Sequence, residues 1–190
     1  ILQGLLVTVS GRTLRVAGTD LDMTVRTELE VEVLEEGRTV VPGRLVTEAA
    51  RKLPPGAVVL AARDGEVELS GGGPRFGFRE LAVDDFPAVA EATLAGAIEV
   101  DGDEFLSALD QVVIAASRDD ARPVLTGVYF ESTEEGLRLV ATDSYRLALR
   151  DLPGIRSSMT GLVPVRALRE LSRTVGSKKM QVVLGDRDAS

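Results

Sequence analysis

Gly4-Leu-Leu-Val-Thr-Val9 followed by Leu14-Arg-Val-Ala-Gly-Thr-Asp20 returns as Gly127-Val-Tyr-Phe-Glu-Ser132 followed by Leu137-Arg-Leu-Val-Ala-Thr-Asp143. Glycine to glycine and aspartate to aspartate, the separation is 123 residues, so the two hairpins have equal length. A further block repeats behind them. Val40-Val-Pro-Gly-Arg-Leu-Val-Thr-Glu-Ala-Ala-Arg-Lys-Leu53 parallels Leu162-Val-Pro-Val-Arg-Ala-Leu-Arg-Glu-Leu-Ser-Arg-Thr-Val175, now 122 residues apart at the prolines. Any two alternating strands resemble each other, but three blocks in order, with one residue deleted from an intervening loop, mark an internal repeat.

Working outward, period-two alternation predicts strands near 1–9, 13–19, 23–34, 38–41, 57–63, 65–70 and 74–81, then 97–100, 124–131, 136–142, 145–151, 160–163 and 179–185. Helical spacing predicts helices over 43–53, 103–116 and 165–175, with a linker near 84–96. Ahead of the second hairpin, Ile98–Ala116 reads as a strand running into a helix, and the first hairpin has no such leader. The first repeat in turn continues through Arg75–Leu81 to Asp84-Asp-Phe-Pro87, while the second stops after one strand. The expectation is a chain that starts late in one domain, 1–95, and stops early in the next, 96–190. A finer echo aligns Leu45, Ala49 and Leu53 with Phe105, Leu109 and Val113 as the apolar sides of two helices.

Composition removes most enzyme classes. The 190 residues include no Cys and no His, which excludes thiol nucleophiles, disulfides, Cys/His zinc sites and histidine-centred triads. Lys and Arg number 22 against 30 acidic residues, a net charge of −8, so contact with nucleic acid needs a local basic face. The 44% hydrophobic content suits a packed core, and no apolar run is long enough to span a bilayer. A cytoplasmic protein without membrane contact, cofactor or metal is the expectation.

Three groups of residues could carry function. Arg166, Arg169 and Arg173 share one side of the 165–175 helix, and Leu168, Leu171 and Val175 share another, with Pro164 expected at the first helical position. Arg44, Arg51 and Lys52 repeat the basic side in the first helix, beside Glu48. Such a stripe fits either a solvated face or a surface that tracks phosphates. Asp20, Asp22 and Asp143 could form a carboxylate-metal hydrolase or nuclease site, although carboxylates at strand ends more often hold turns. Leu125 and Leu147, bordered by Tyr145 and Arg146, could form an apolar dimple.

Arg118-Asp-Asp-Ala-Arg-Pro-Val-Leu-Thr-Gly127, Ala141-Thr-Asp-Ser-Tyr-Arg-Leu-Ala148 and Leu162-Val-Pro-Val-Arg-Ala-Leu-Arg-Glu-Leu171 closely resemble the bacterial sliding clamp family, the beta subunit of DNA polymerase III. The resemblance covers essentially the whole chain. It implies an α+β fold of repeated strand-helix-multistrand units, sheets outside and helices lining the inner face. Domain 1 would lack its opening strand and helix, and domain 2 its last strands. It implies a non-enzymatic processivity factor that, as a homodimer ring in the full-length protein, encircles duplex DNA without reading sequence and tethers DNA polymerase and clamp-loader subunits. Arg44, Arg51, Lys52, Arg118, Arg122, Arg166, Arg169 and Arg173 would face DNA. Leu125, Thr142, Ser144, Tyr145, Arg146 and Leu147 would wall the partner-peptide pocket, with Ser144 and Tyr145 departing from residues common in the family. Arg75, Phe76 and Phe78 would lie at the protomer interface, the two rings on one face as an apolar patch beside an open sheet edge.

Overall fold

The computed structural model describes residues 3–88, 94–156, 158, 160–174 and 179–184. The chain forms two units, Ile1–Ala90 and Glu91–Ser190. In the first, β1 (Gly4–Ser10), β2 (Thr13–Thr19), β3 (Thr24–Glu30) and β4 (Gly37–Pro42) make an antiparallel sheet in the order β3-β2-β1-β4. Helix α1 (Gly43–Ala50) follows, then a meander of β5 (Val59–Arg63), β6 (Glu66–Ser70) and β7 (Arg75–Arg79), and a 3-10 turn over Val83–Asp85.

The second unit opens with β8 (Ile98–Asp101), α2 (Gly102–Val113) and a 3-10 turn over Pro123–Leu125. Its sheet contains β9 (Gly127–Ser132), β10 (Gly136–Thr142), β11 (Leu147–Pro153) and β12 (Thr160–Pro164) in the order β11-β10-β9-β12. Then come α3 (Val165–Thr174) and β13 (Lys179–Val182), which pairs with β8. The sequence repeat is thus a repeat of strand order and of register. Leu6 stands opposite Ala17 and Val40 in one sheet, and Tyr129 opposite Val140 and Leu162 in the other. The deleted residue falls between β3 and β4, outside every pairing.

The larger core belongs to the second unit. Phe105, Ala108, Leu109, Val112 and Val113 recur at helical spacing on α2 and are buried against Val128, Phe130, Leu137, Leu139 and Leu152 of the sheet. The rings of Phe105 and Phe130 are tilted with centroids 6.3 Å apart. Asp101 caps α2 by accepting a 3.0 Å bond from the Glu104 amide, which satisfies one of the first-turn N–H groups. Among its described residues the first unit has small clusters, Val7-Val41-Val67 and Ala49-Leu69-Phe78. No helix among its described residues takes the place of α2. Leu29 is accordingly 55% exposed, whereas Leu152 at the same place in the repeat is 1% exposed.

Several local expectations change. Helix α1 ends at Ala50 and not at 53, because the Lys52 and Leu53 amides turn back to Ala49 and Ala50 ahead of Pro54-Pro55. Leu45 is 53% exposed, and Val46 takes the core position assigned to it. Pro164 closes β12 before α3 begins, and Pro42 stands in the N-cap position of α1. Strand β3 stops at Glu30, and β11 starts at Leu147, after the turn. Val175 lies outside the described residues.

Candidate functional site

The hairpin linking β10 to β11 holds a dense set of polar contacts. The Thr142 hydroxyl donates to the Arg146 carbonyl at 2.7 Å and accepts from the Ser144 amide at 3.2 Å. The Tyr145 and Arg146 amides both donate to Asp143 Oδ1 at 3.0 Å, and the Asp143 amide returns to the Arg146 carbonyl at 3.3 Å. Ser144 has φ +77°, the left-handed region that non-glycine residues rarely occupy. The two amide donors, and then Arg146 Nε at 3.0 Å from Oδ2, hold the Asp143 carboxyl below its ordinary range.

The β2–β3 hairpin repeats this turn bond for bond. Thr19 bridges the Met23 carbonyl (2.9 Å) and the Leu21 amide (3.1 Å), Asp20 Oδ1 accepts from the Asp22 and Met23 amides (3.1 and 2.8 Å), and the Asp20 amide reaches Met23 (3.1 Å). Leu21 takes φ +78°. The Thr-Asp pair therefore builds a turn, the structural work that carboxylates at strand ends commonly do. One oxygen of Asp20 and one of Asp143 serve two backbone amides each, and the two residues occupy equivalent places in different units. Among the described residues no group of three or more acidic side chains is placed to hold a metal. The turn signal was present in the sequence as Thr-Asp at the 123-residue separation, but the double use of Oδ1 appears only with the backbone in place.

The segment before β9 reaches the second turn through Arg122. Arg122 Nη1 lies 3.4 Å from Ser144 Oγ and Arg122 Nε 3.1 Å from Asp119 Oδ2. The segment before β9 is pinned by the Ser117 amide on the Leu125 carbonyl at 2.8 Å and by the Val165 amide on the Thr126 carbonyl at 3.1 Å. Leu125 is half-buried, while Tyr145 (94%) and Leu147 (64%) are exposed. The same backbone thus supports Leu125 and the first turn of α3. Arg122, expected among the DNA-facing residues, is exposed and touches the β10–β11 turn at Ser144.

On α3, Val165 and Leu168 are buried and Leu171 half-buried, while Arg166, Arg169 and Arg173 are exposed; Arg173 meets Glu170 at 2.8 Å. On α1, Arg44 is exposed and paired with Glu48 at 2.9 Å, and Arg51 and Lys52 are exposed just past the helix end. Arg118 is exposed in the loop after α2. At the 122-residue separation Arg44, Glu48 and Arg51 coincide with Arg166, Glu170 and Arg173.

The aromatic pair on β7 is placed differently from the expected exposed patch. Phe78 is buried with Ala49 and Leu69, and Phe76 packs half-buried against the same cluster. Their positions opposite Val67 and Leu69 turn both rings to the side of the meander that α1 covers. Arg75 is exposed and 3.3 Å from Glu68. Among the described strands β7 pairs only with β6, so its other edge is open.

Comparison with known proteins agrees with this architecture along the whole chain. Residues 1–90 match the family description DNA polymerase III beta subunit, N-terminal domain, and residues 99–189 match its central domain. A beta sliding clamp of Micrococcus luteus is 34% identical over 97% of this chain and 61% of its own length. One of Streptomyces coelicolor is 35% identical over 97% of this chain and 50% of its own length. The crystal structure of the DNA polymerase III subunit beta from Pseudomonas aeruginosa superposes with a TM-score of 0.90 at 28% identity, covering 97% of this chain and 53% of that one. The chain spans about half the length of most of the relatives it matches.

Proposed function

Because the chain belongs to the DNA polymerase III beta subunit family, matching both its N-terminal and its central domain, we propose that it supplies domains 1 (1–95) and 2 (96–190) of a sliding clamp that holds a polymerase on duplex DNA. The observation that carries this reading is the repeated basic helix side. In a chain of net charge −8, Arg44 on α1 and Arg51 just past its end recur as Arg166 and Arg173 on α3, all exposed, while the other sides of both helices pack on their sheets. Arginines spaced along a helix meet phosphate oxygens without reaching base edges, which gives attachment without sequence preference and so permits sliding. Nothing in this role breaks a covalent bond, and no described helix is long and apolar enough to cross a membrane.

The other roles follow from placement. Leu125, Thr142, Ser144, Tyr145, Arg146 and Leu147 form the domain-2 wall of a pocket for short peptides from polymerase and clamp-loader subunits. Arg122 stands at its rim. The open edge of β7, with Arg75 exposed on it, is the strand that would pair across a protomer boundary, and Phe76 and Phe78 support it from the core side. The test is duplex-DNA binding by the 190-residue chain across a salt series. Binding should be weak, indifferent to sequence, and fall with a log-log slope of about −0.9 per phosphate neutralised. Changing Arg166, Arg169 and Arg173 together to Glu should abolish it while leaving the circular dichroism spectrum unchanged; retained binding would refute the assignment.

A further inference from the structure

The two basic helices carry the same three charges at the same places. Arg44, Glu48 and Arg51 recur 122 residues later as Arg166, Glu170 and Arg173, so in each copy one carboxylate stands four residues after one arginine and three before another. That spacing sets the three on one side of a helix. Both carboxylates hold a guanidinium, in opposite directions along the chain. Glu48 Oε1 lies 2.9 Å from Nε of the preceding Arg44, and Glu170 Oε1 lies 2.8 Å from Nη1 of the following Arg173.

The placement of these charges does little for the helices themselves. Arg44 and Arg166 are the second residues of α1 and α3, and neither helix has an acidic residue in its first turn. A guanidinium there faces the positive end of the helix dipole, and in α1 arginine ahead of glutamate is the weaker order for an i,i+4 pair. Helix α2 is built the other way. It has Asp101 as its cap, Asp103 and Glu104 in its first turn, and no Lys or Arg from Gly102 to Val113. The arginines of α1 and α3 thus depart from what stabilises a helix, and they do so in both copies. The pairs also lie in solvent, with the side chains of Arg44 and Arg173 88% and 73% exposed. An exposed pair adds little to folding, so its guanidinium is open to exchange for another anion. A phosphate that takes the guanidinium leaves the carboxylate close by, where like charges repel.

We propose that Glu48 and Glu170 are internal competitors for phosphate, holding each basic helix side to weak, readily exchanged contacts with duplex DNA. This role rests on the clamp reading and deepens it. The arginines attach the chain to the backbone of the duplex, and the glutamates limit that attachment, so that a guanidinium leaving one phosphate has a carboxylate to return to before it meets the next.

The test is the salt series on the 190-residue chain with a duplex of mixed sequence, repeated for Glu48→Gln, Glu170→Gln and the double variant. Glutamine keeps the length and helix propensity of glutamate and removes its charge. Loss of one carboxylate–phosphate repulsion at about 4 Å should tighten binding about fivefold, and the double variant should show the product of the two effects. The log-log salt slope should steepen by up to about 0.9 for each substitution. Glu134→Gln, exposed at the tip of the β9–β10 hairpin, changes the net charge equally and should leave binding unchanged. Affinity and slope unmoved by Glu48→Gln and Glu170→Gln, as a purely helix-stabilising pair requires, would overturn the proposal, and so would an equal gain from Glu134→Gln. In either case binding by the parent chain, lost when Arg166, Arg169 and Arg173 become Glu, would leave the clamp reading standing. No binding by the parent or by any Gln variant would overturn both.

Discussion

The two units carry the same sheet and differ in what lies on it. Among the described residues, α2 in the second packs on Phe130, Leu137, Leu139 and Leu152 of one face, while Tyr129, Leu149 and Leu162 of the opposite face are 41–47% exposed; in the first, Leu81 bridges to Val40, and Val25 and Leu29, which stand where the second unit meets α2, are 51% and 55% exposed. Strand order and register survive this exchange, so they are fixed by what the repeats share. That is the hairpin lengths, the Thr-Asp turns, the β-branched alternation and the proline before each helix. The packing that stabilises each sheet is set by segments outside the repeat.

The largest effect that separates the units is expected at one repeated leucine. Leu152→Ala should destabilise the second unit by about 2–5 kcal/mol, because a fully buried side chain leaves a cavity against α2. Leu29→Ala at the equivalent position should cost no more than about 0.5 kcal/mol. Denaturant melts read separately from resonances of each unit check this; equal losses would mean that the first sheet is covered after all.

A smaller effect should be the same in both units. Leu21→Gly and Ser144→Gly each relieve a left-handed backbone that costs an ordinary residue about 1–2 kcal/mol, offset by the greater freedom of glycine in the unfolded chain. Each should raise stability by up to about 1 kcal/mol, and a gain in one turn alone would break their equivalence. The smallest signal expected is the titration of Asp143. Its folded carboxyl is held low by the Tyr145 and Arg146 amides, so its contribution is complete above the ordinary carboxylate range near pH 4. That contribution is lost as pH falls through the folded value. Carbon-detected titration should find Asp143 still ionised where a free aspartate is half protonated, and Arg146→Ala should move it upward, though less than removal of the amide bonds would.

What could be read beforehand divides along the same line. The hairpins, the helices and the repeat were legible because alternation and spacing are local properties of a chain. The Arg side of α3 was legible for the same reason, since burial of Leu168 and Leu171 leaves Arg166, Arg169 and Arg173 outside. Val46 could have been preferred over its neighbour Leu45, since the 122-residue separation sets it on Leu168 of the buried side. Two features were not legible. Phe76 and Phe78 alternate as an exposed strip would, and only the position of α1 over the meander makes that side interior. Leu81 lies 41 residues beyond Val40, and no short-range pattern announces their bridge.

The missing residue between the repeats has a practical corollary. Val31–Glu36, where one hairpin stack is a residue longer than the other, joins β3 to β4 with Leu34 89% exposed and no strand pairing to disturb. The two repeats already differ in length at this joint, and loop extension costs only about 0.6 kcal/mol per doubling. A peptide tag or a dye-bearing cysteine spliced next to Leu34 would enter a chain that has no thiol of its own, so single-site fluorescent reporting becomes available without first clearing competing labels.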